Sequence, residues 1–271
     1  MAQFGPSMEL RQDCDDEGLF ASYRCIPGQS CHCLSKTAPE YLERPTSLRF
    51  PKCSRDYEEA KEIIGKDLVP SQHFRCDSNG DYDAVQCIGE QCLCVDTSDG
   101  APTYPGDALV NLTLISNETL KCYRGKKDGI YYNKCEAEYI EILNEVNGFL
   151  EEGYDMIFAY SFPKCDIDGT YSAVQENSTH KICVDKEGVA LTAVDKVENT
   201  TIADAMDCRC IRAHSVISSR EAPTCDLNGN YSPIQCRRGV CRCVDNDGIQ
   251  VCTSVPCEVD ENDKDTLTCL Q

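Results

Sequence analysis

The chain contains no tryptophan and only four histidines among its 271 residues. His32, His73, His180 and His214 lie far apart, so a Cys–His or Ser–His–Asp set would have to assemble between separate domains. An enzyme is therefore not expected. Basic residues are also in short supply, 26 Lys and Arg against 46 Asp and Glu, for a net charge of −20. Nucleic-acid binding needs cations that replace counterions along the phosphates, and an anionic membrane surface needs the same sign. Neither partner is expected. No apolar run reaches the length of a membrane span, and the opening MAQFGPSMEL is too polar for a signal segment.

Cysteine is abundant instead, with 22 residues. At this density cysteine usually cross-links domains too small to be held by a core alone, in an oxidising compartment. Five Asn-x-Ser/Thr sequons, at Asn111, Asn117, Asn177, Asn199 and Asn230, are candidate glycosylation acceptors and fit secretory passage. The expectation is a soluble, acidic, secreted chain, mature or shortened at its N-terminus. The Cys-x-Cys pairs 31/33, 92/94, 208/210 and 241/243 would suit zinc in a reducing compartment. The sequons and the repeat described next favour disulfides, and VDENDKD (259–265) lacks the Gly and terminal Glu of an EF-hand loop. No metal or cofactor is expected.

Four segments share one twelve-position frame: CDDEGLFASYRC (14–25), CDSNGDYDAVQC (76–87), CDIDGTYSAVQE (165–176) and CDLNGNYSPIQC (225–236). Each has Cys-Asp first, Gly fifth and an aromatic ring seventh, at Phe20, Tyr82, Tyr171 and Tyr231. Asn-Gly and Asp-Gly supply a tight turn, and YDAVQ, YSAVQ and YSPIQ read as strands. A second turn closes at VDTSDG, VDKEG and VDNDG. Upstream, residues 54–65 (SRDYEEAKEIIG) read as a helix with a Ser cap and a Gly stop. Residues 136–150 read as a helix with Tyr139, Ile142, Leu143, Val146 and Leu150 on its packed face.

The third copy has Glu176 and Lys181 where the second has Cys87 and Cys92. Cysteines lost as a couple were bonded as a couple, which predicts Cys87–Cys92. Cys92 and Cys94 need different partners, because positions two apart in a strand lie near the edge of the permitted Cα separation. Spacing then gives Cys53–Cys76 and Cys94–Cys122, Cys135–Cys165 and Cys183–Cys208, and Cys210–Cys225, Cys236–Cys241, Cys243–Cys269 and Cys252–Cys257. Glu176 and Lys181 are either an ion pair across the vacated bridge or two unrelated surface residues. A pair contributes roughly 0–1 kcal/mol when exposed, against roughly 2–4 kcal/mol for a disulfide.

The frame Pro-x-x-x-x-Cys-Asp-x-x-Gly-x-Tyr, Gln-Cys, Cys-x-Cys-Val-Asp resembles the thyroglobulin type-1 repeat, over roughly residues 10–271. The resemblance implies a small disulfide-rich α+β fold in tandem, each domain a short N-terminal helix, a small antiparallel β-sheet and loops. Repeats are expected at 10–48 (truncated), 49–125 (complete), 126–208 (lacking one disulfide) and 209–271 (with an extra one). In the truncated copy Cys25 pairs with Cys31, and Cys14 pairs with Cys33 or is a free thiol. The family's usual Trp between the paired cysteines is replaced by His32, Leu93, Ile182 and Arg242.

Some members of this family, the thyropins, insert loops into the clefts of papain-like cysteine proteases such as cathepsin L-like enzymes. Carried onto the second repeat, those loops are Leu68, Val69, Pro70, Ser71, Gln72, His73 and Phe74; then Ile88, Gly89, Glu90 and Gln91; then Thr97, Ser98, Asp99 and Gly100. The third repeat has a sequon in its second loop and lacks the bridge that fixes it. The fourth has only fourteen residues between its first two cysteines. The alternative function is a non-inhibitory extracellular-matrix, carrier or ligand-binding module. We expect non-reducing peptide mapping of the native chain to return these pairs, with no alkylatable sulfhydryl beyond Cys14. Many reactive thiols, or Cys87 joined elsewhere, would overturn the pairing.

Overall fold

The computed structural model describes residues 23–24, 32–33, 52–65, 68–70, 72–103, 109–125, 127, 129–154, 160–217, 221–252 and 256–269. These residues divide into two compact units, with the border between Tyr171 and Ser172. The first unit holds β1 (Tyr23–Arg24), β2 (His32–Cys33), α1 (Lys52–Ile64), β3 (Val85–Ile88), β4 (Gln91–Cys94), β5 (Val110–Asn111) and α2 (Lys134–Glu151). Strand β1 pairs antiparallel with β2. Cys14, Cys25, Cys31 and the Cys33 side chain lie outside the described residues.

Helix α1 begins at Lys52, two residues before the expected Ser cap. Ser54 lies inside it because its backbone N–H is taken by Gly80 O at 3.0 Å. Gly65, at φ +71°, ends the helix, a conformation costly for residues with a Cβ. The turn after Cys76 is closed by Asp77, whose Oδ1 accepts from Asn79 N and Asp81 N at 2.8 and 3.0 Å. The chain then meets itself at an isolated bridge, Cys76 to Tyr82. The strand expected from Tyr82 starts only at Val85, because Asp83 Oδ1 accepts from Val85 N at 3.0 Å and bends the backbone. The same delay occurs after Tyr171 and Tyr231, where strands open at Val174 and Ile234.

The sheet order is β3-β4-β5, all antiparallel, with Cys87 opposite Cys92. Side chains alternate along a strand, so Cys92 and Cys94 both face inward while Leu93 is half-buried. Cys92 is bonded to Cys87 and Cys94 to Cys122, and Cys53–Cys76 fixes α1 to the turn. The other bridges are Cys135–Cys165, Cys183–Cys208, Cys210–Cys225, Cys236–Cys241, Cys243–Cys269 and Cys252–Cys257. These are the pairs that the vanished couple and the spacing gave.

Helix α2 begins two residues before the expected Glu136, with Asn133 as its N-cap. Glu136 reaches back to Asn133 N at 3.0 Å, one half of a capping box. Of the expected apolar face, Val146 is buried and Tyr139, Ile142 and Leu143 are half-buried, while Leu150 is exposed. Glu136 has a second role. Arg75, immediately before Cys76, places Nη1 3.2 Å from Glu136 Oε2 and 2.7 Å from Tyr131 O, and Nη2 2.9 Å from Asp83 Oδ2. Its guanidinium carbon sits 3.7 Å from the centre of the Tyr131 ring. Burial works against the Arg75 charge, but Tyr131, Asp83 and Glu136 outweigh it and raise its pKa. Ile167 joins Cys53, Tyr57, Cys76, Tyr82 and Val95 in one core, and its carbonyl accepts from Cys76 N at 3.0 Å. Residues beyond 125 therefore complete the interior around the second repeat.

The second unit contains β6 (Val174–Glu176), β7 (His180–Val184), β8 (Ala190–Asp195), α3 (Thr200–Asp204), α4 (Arg209–Val216), β9 (Ile234–Arg237), β10 (Val240–Cys243) and β11 (Glu258–Asp260). They form two antiparallel sheets, ordered β6-β7-β8 and β11-β10-β9. Glu176 stands opposite Lys181 across the ladder, and Lys181 Nζ lies 3.7 Å from Asp204 Oδ1. The charge of Lys181 is thus drawn toward α3. Cys208 adopts φ +63°, unusual for a residue with a side chain, directly before α4. Asn230 braces this corner: its Oδ1 accepts from Asp207 N at 2.8 Å and its Nδ2 donates to Ala205 O at 2.6 Å.

The buried charge cluster yields a stability prediction. Arg75→Ala leaves Glu136 desolvated without its partner and should lower unfolding free energy by about 3–5 kcal/mol, the usual cost of breaking a buried pair. Chemical denaturation followed by circular dichroism checks this, and a loss under about 1 kcal/mol would show that the pair does not hold the junction.

Candidate functional site: the loops of the second repeat

Tyr82 organises two of the three loops. Its ring packs so closely on Gly100 that a Cβ there would come within 2.8 Å of it, and Gly100 also needs φ +74°. Tyr82 N donates to Thr97 O at 2.9 Å, and its hydroxyl donates to Asp56 Oδ2 at 2.6 Å on α1. The third loop, Thr97–Gly100, therefore rests on Tyr82 while Thr97, Ser98 and Asp99 face solvent. Asp96 Oδ1 accepts from Ser98 N and Oγ at 2.8 and 2.6 Å. These bonds from Ser98 hold the Asp96 carboxyl below its ordinary pKa.

The first loop is largely packed. Leu68, Val69, His73 and Phe74 are half-buried, Pro70 is buried, and Gln72 is exposed. Ser71 lies outside the described residues. The His73 ring meets Tyr57 edge-on at 5.2 Å, and Phe74 packs on Tyr82 at 5.4 Å. His73 Nδ1 bonds to Phe74 O. Burial pushes the His73 pKa down, partly offset by that backbone bond.

The second loop stands apart. Ile88–Gln91 caps the end of the β3–β4 hairpin opposite Val85 and Cys94, with Gly89 at φ +59°. All four residues are exposed, and Ile88 retains 69% of its accessible surface. The Cys87–Cys92 bridge lies directly behind this tip. First and third loops thus gather at Tyr82, while the second sits one strand length away, about 13 Å at 3.3 Å per residue.

Several supports of this site are not legible in the sequence alone. Buried Gln86 accepts from Arg75 N and donates to Arg75 O, both at 2.8 Å, clamping the stretch that precedes Cys76. Gln235 makes the same pair with Thr224 at 2.8 and 2.7 Å. The recurring Gln-Cys was visible in the frame, but its partner eleven residues upstream was not. Helix α4 is the short N-terminal helix that the resemblance implied for the fourth repeat, although its eight residues give too few turns for a periodic signal of their own.

A helix stapled to a turn, followed by a three-stranded antiparallel hairpin sheet with a Cys-x-Cys strand, defines a class of small disulfide-held repeat domains. A profile of the thyroglobulin type-1 repeat matches residues 53–108 and 204–256. Equistatin of Actinia equina is 33% identical over 218 residues, covering 76% of this chain and 82% of that protein. Thyroglobulin of Mus musculus is 33% identical over 100 residues, 33% of this chain and 4% of its own length. U20-hexatoxin-Hi1a of Hadronyche infensa is 26% identical over 96 residues, 34% of this chain and 65% of that protein. The chain belongs to the thyroglobulin type-1 repeat family.

His73 makes the first loop sensitive to acid. Its folded pKa lies below the unfolded value of about 6.5, so the neutral ring is the form the fold accepts. Stability is full above that value and is lost as pH falls through the lowered folded pKa. We expect unfolding free energy to decline below about pH 6.5, with His73→Phe removing part of the slope. An unchanged slope in the variant would show that other groups carry it.

Proposed function

We propose that this is a secreted, non-enzymatic protein-binding chain of four thyroglobulin type-1 repeats, bounded at 10–48, 49–125, 126–208 and 209–271. We further propose that its second repeat blocks papain-like cysteine proteases of the cathepsin L type. The observation that carries this reading is the stapled, exposed hairpin tip. Ile88 is held outward by a disulfide at its base, so little freedom is lost when the tip enters a cleft. Burying one such aliphatic side chain is worth about 1.5–3 kcal/mol. The mechanism is exclusion of substrate, with no bond made or broken. Among the described residues no helix is long and apolar enough to cross a membrane.

A second reading is supported by the same geometry. The first loop is packed around His73 and Phe74, and the second lies at the other end of the hairpin. Such loops also suit a connector role in a non-inhibitory matrix, carrier or ligand-binding protein. The test uses the full chain, because Tyr131, Glu136 and Ile167 help to build the interior around the second repeat. Titrated against a cathepsin L-type enzyme, the chain should inhibit at or below micromolar concentration. Ile88→Asp should weaken inhibition at least about tenfold, or 1.4 kcal/mol, without shifting the melting temperature. No inhibition at micromolar chain leaves the second reading standing.

A further inference from the structure

We propose that Asn111 is an N-glycan attachment site whose sugar covers the hairpin tip Ile88–Gln91, so that occupancy of this one asparagine opens or closes the outer loop of the second repeat. The inference rests on the protease-binding reading only for its activity readout. Asn111 belongs to the strand beside that tip: it stands opposite Gln91 in the β4–β5 ladder, and Leu112 N donates to Glu90 O at 2.8 Å. Its amide has a fixed orientation. Oδ1 accepts from Thr113 N at 3.0 Å and from Thr113 Oγ1 at 2.8 Å, the same threonine that completes the sequon. With the oxygen held there, Nδ2 turns toward the loop and lies 3.4 Å from Glu90 Oε2.

The other sequons differ in ways that isolate this one. Asn177 also holds its Oδ1 against Thr179 N at 2.9 Å, but it lies between β6 and β7, in the third repeat. Asn117 is exposed in a turn before Leu120, and Asn199 is exposed immediately before α3. Asn230 donates Nδ2 to Ala205 O at 2.6 Å and belongs to the fourth repeat. Of the five, Asn111 alone is seen with its amide nitrogen directed at a candidate protease-binding loop.

The modification transfers an oligosaccharide from a lipid-linked diphosphate donor. A bond forms between Nδ2 and the anomeric carbon, the anomeric C–O bond to the diphosphate breaks, one amide proton leaves, and the lipid diphosphate departs. Oδ1 keeps its bonds to Thr113, while the first sugar takes the space beside Glu90. A bulky hydrated chain at that position stands between Ile88 and any cleft that would admit it.

The experiment compares full-length chain from a secreting eukaryotic host with Asn111→Gln and Thr113→Val chains from the same host. Occupancy is read by peptide mass spectrometry and inhibition by titration of the same cathepsin L-type enzyme. We expect Asn111 to be occupied and both sugar-free chains to inhibit at least about tenfold more tightly. An unoccupied Asn111, or equal inhibition by all three chains, overturns the inference. If no chain inhibits that enzyme, the protease reading fails by itself, and radical labelling of Ile88 decides the point about coverage. Greater labelling in both sugar-free chains supports coverage, and equal labelling overturns it.

Discussion

The two-residue period of a β-strand is the constraint on which this architecture depends. It puts Cys92 and Cys94 on one face of β4, where they cannot satisfy each other. One therefore crosses to the neighbouring strand at Cys87 and the other reaches downstream to Cys122. The same division recurs at Cys241 and Cys243, bonded to Cys236 and Cys269. These two sheets are thereby tied both to their own hairpins and to the segments that follow, whereas the β6-β7-β8 sheet keeps only the second tie, Cys183–Cys208. Cystine occupies the centre of the interior: Cys53, Cys92, Cys135, Cys183, Cys208, Cys210 and Cys241 are fully buried.

Around these staples the tyrosine at position seven does the packing that a tryptophan could have done. Tyr82 and Tyr231 each lie against a glycine of positive φ, Gly100 and Gly248, where a Cβ would collide with the ring. Tyr82 and Tyr171 also donate to the acid three residues beyond the helix cysteine, Asp56 and Glu138. Leu93, standing at the family's tryptophan position, packs against the Tyr82 core from the side. The repeat is thus held by a helix–turn staple, a ring over a turn, and a glutamine clamp.

Rigidity has consequences for function. The outer tip at Ile88–Gln91 is presented by a bonded hairpin, whereas the first loop owes its shape to aromatic packing and to a neutral His73. A partner engaging the tip meets a preformed surface, and one engaging the first loop must displace packed side chains. The buried Arg75–Glu136–Asp83 cluster adds a second restraint, because it ties the residue before Cys76 to the start of α2. Charges taken out of water in this way are costly unless every partner is present, which makes the junction intolerant of partial removal.

Much of this was readable from residues alone. The Cys87–Cys92 pair followed from an arithmetic of absence, because Glu176 and Lys181 replace two partners at once, and the remaining pairs followed from spacing. Helices and hairpins followed from periodicity and from Asn-Gly and Asp-Gly turns, with boundaries displaced by two or three residues where a side chain such as Asp83 captures a backbone N–H. The tertiary structure alone decided what distant residues do to one another. Arg75 is an unremarkable surface charge in the sequence until Glu136 and Tyr131, some sixty positions on, close over it. The sequence likewise does not distinguish the surroundings of the three candidate loops until folding packs the first around His73 and Phe74, rests Thr97–Gly100 on Tyr82 and leaves Ile88–Gln91 exposed. Local pattern and covalent valence are properties of short segments, while burial and partnership arise only when the chain returns to itself.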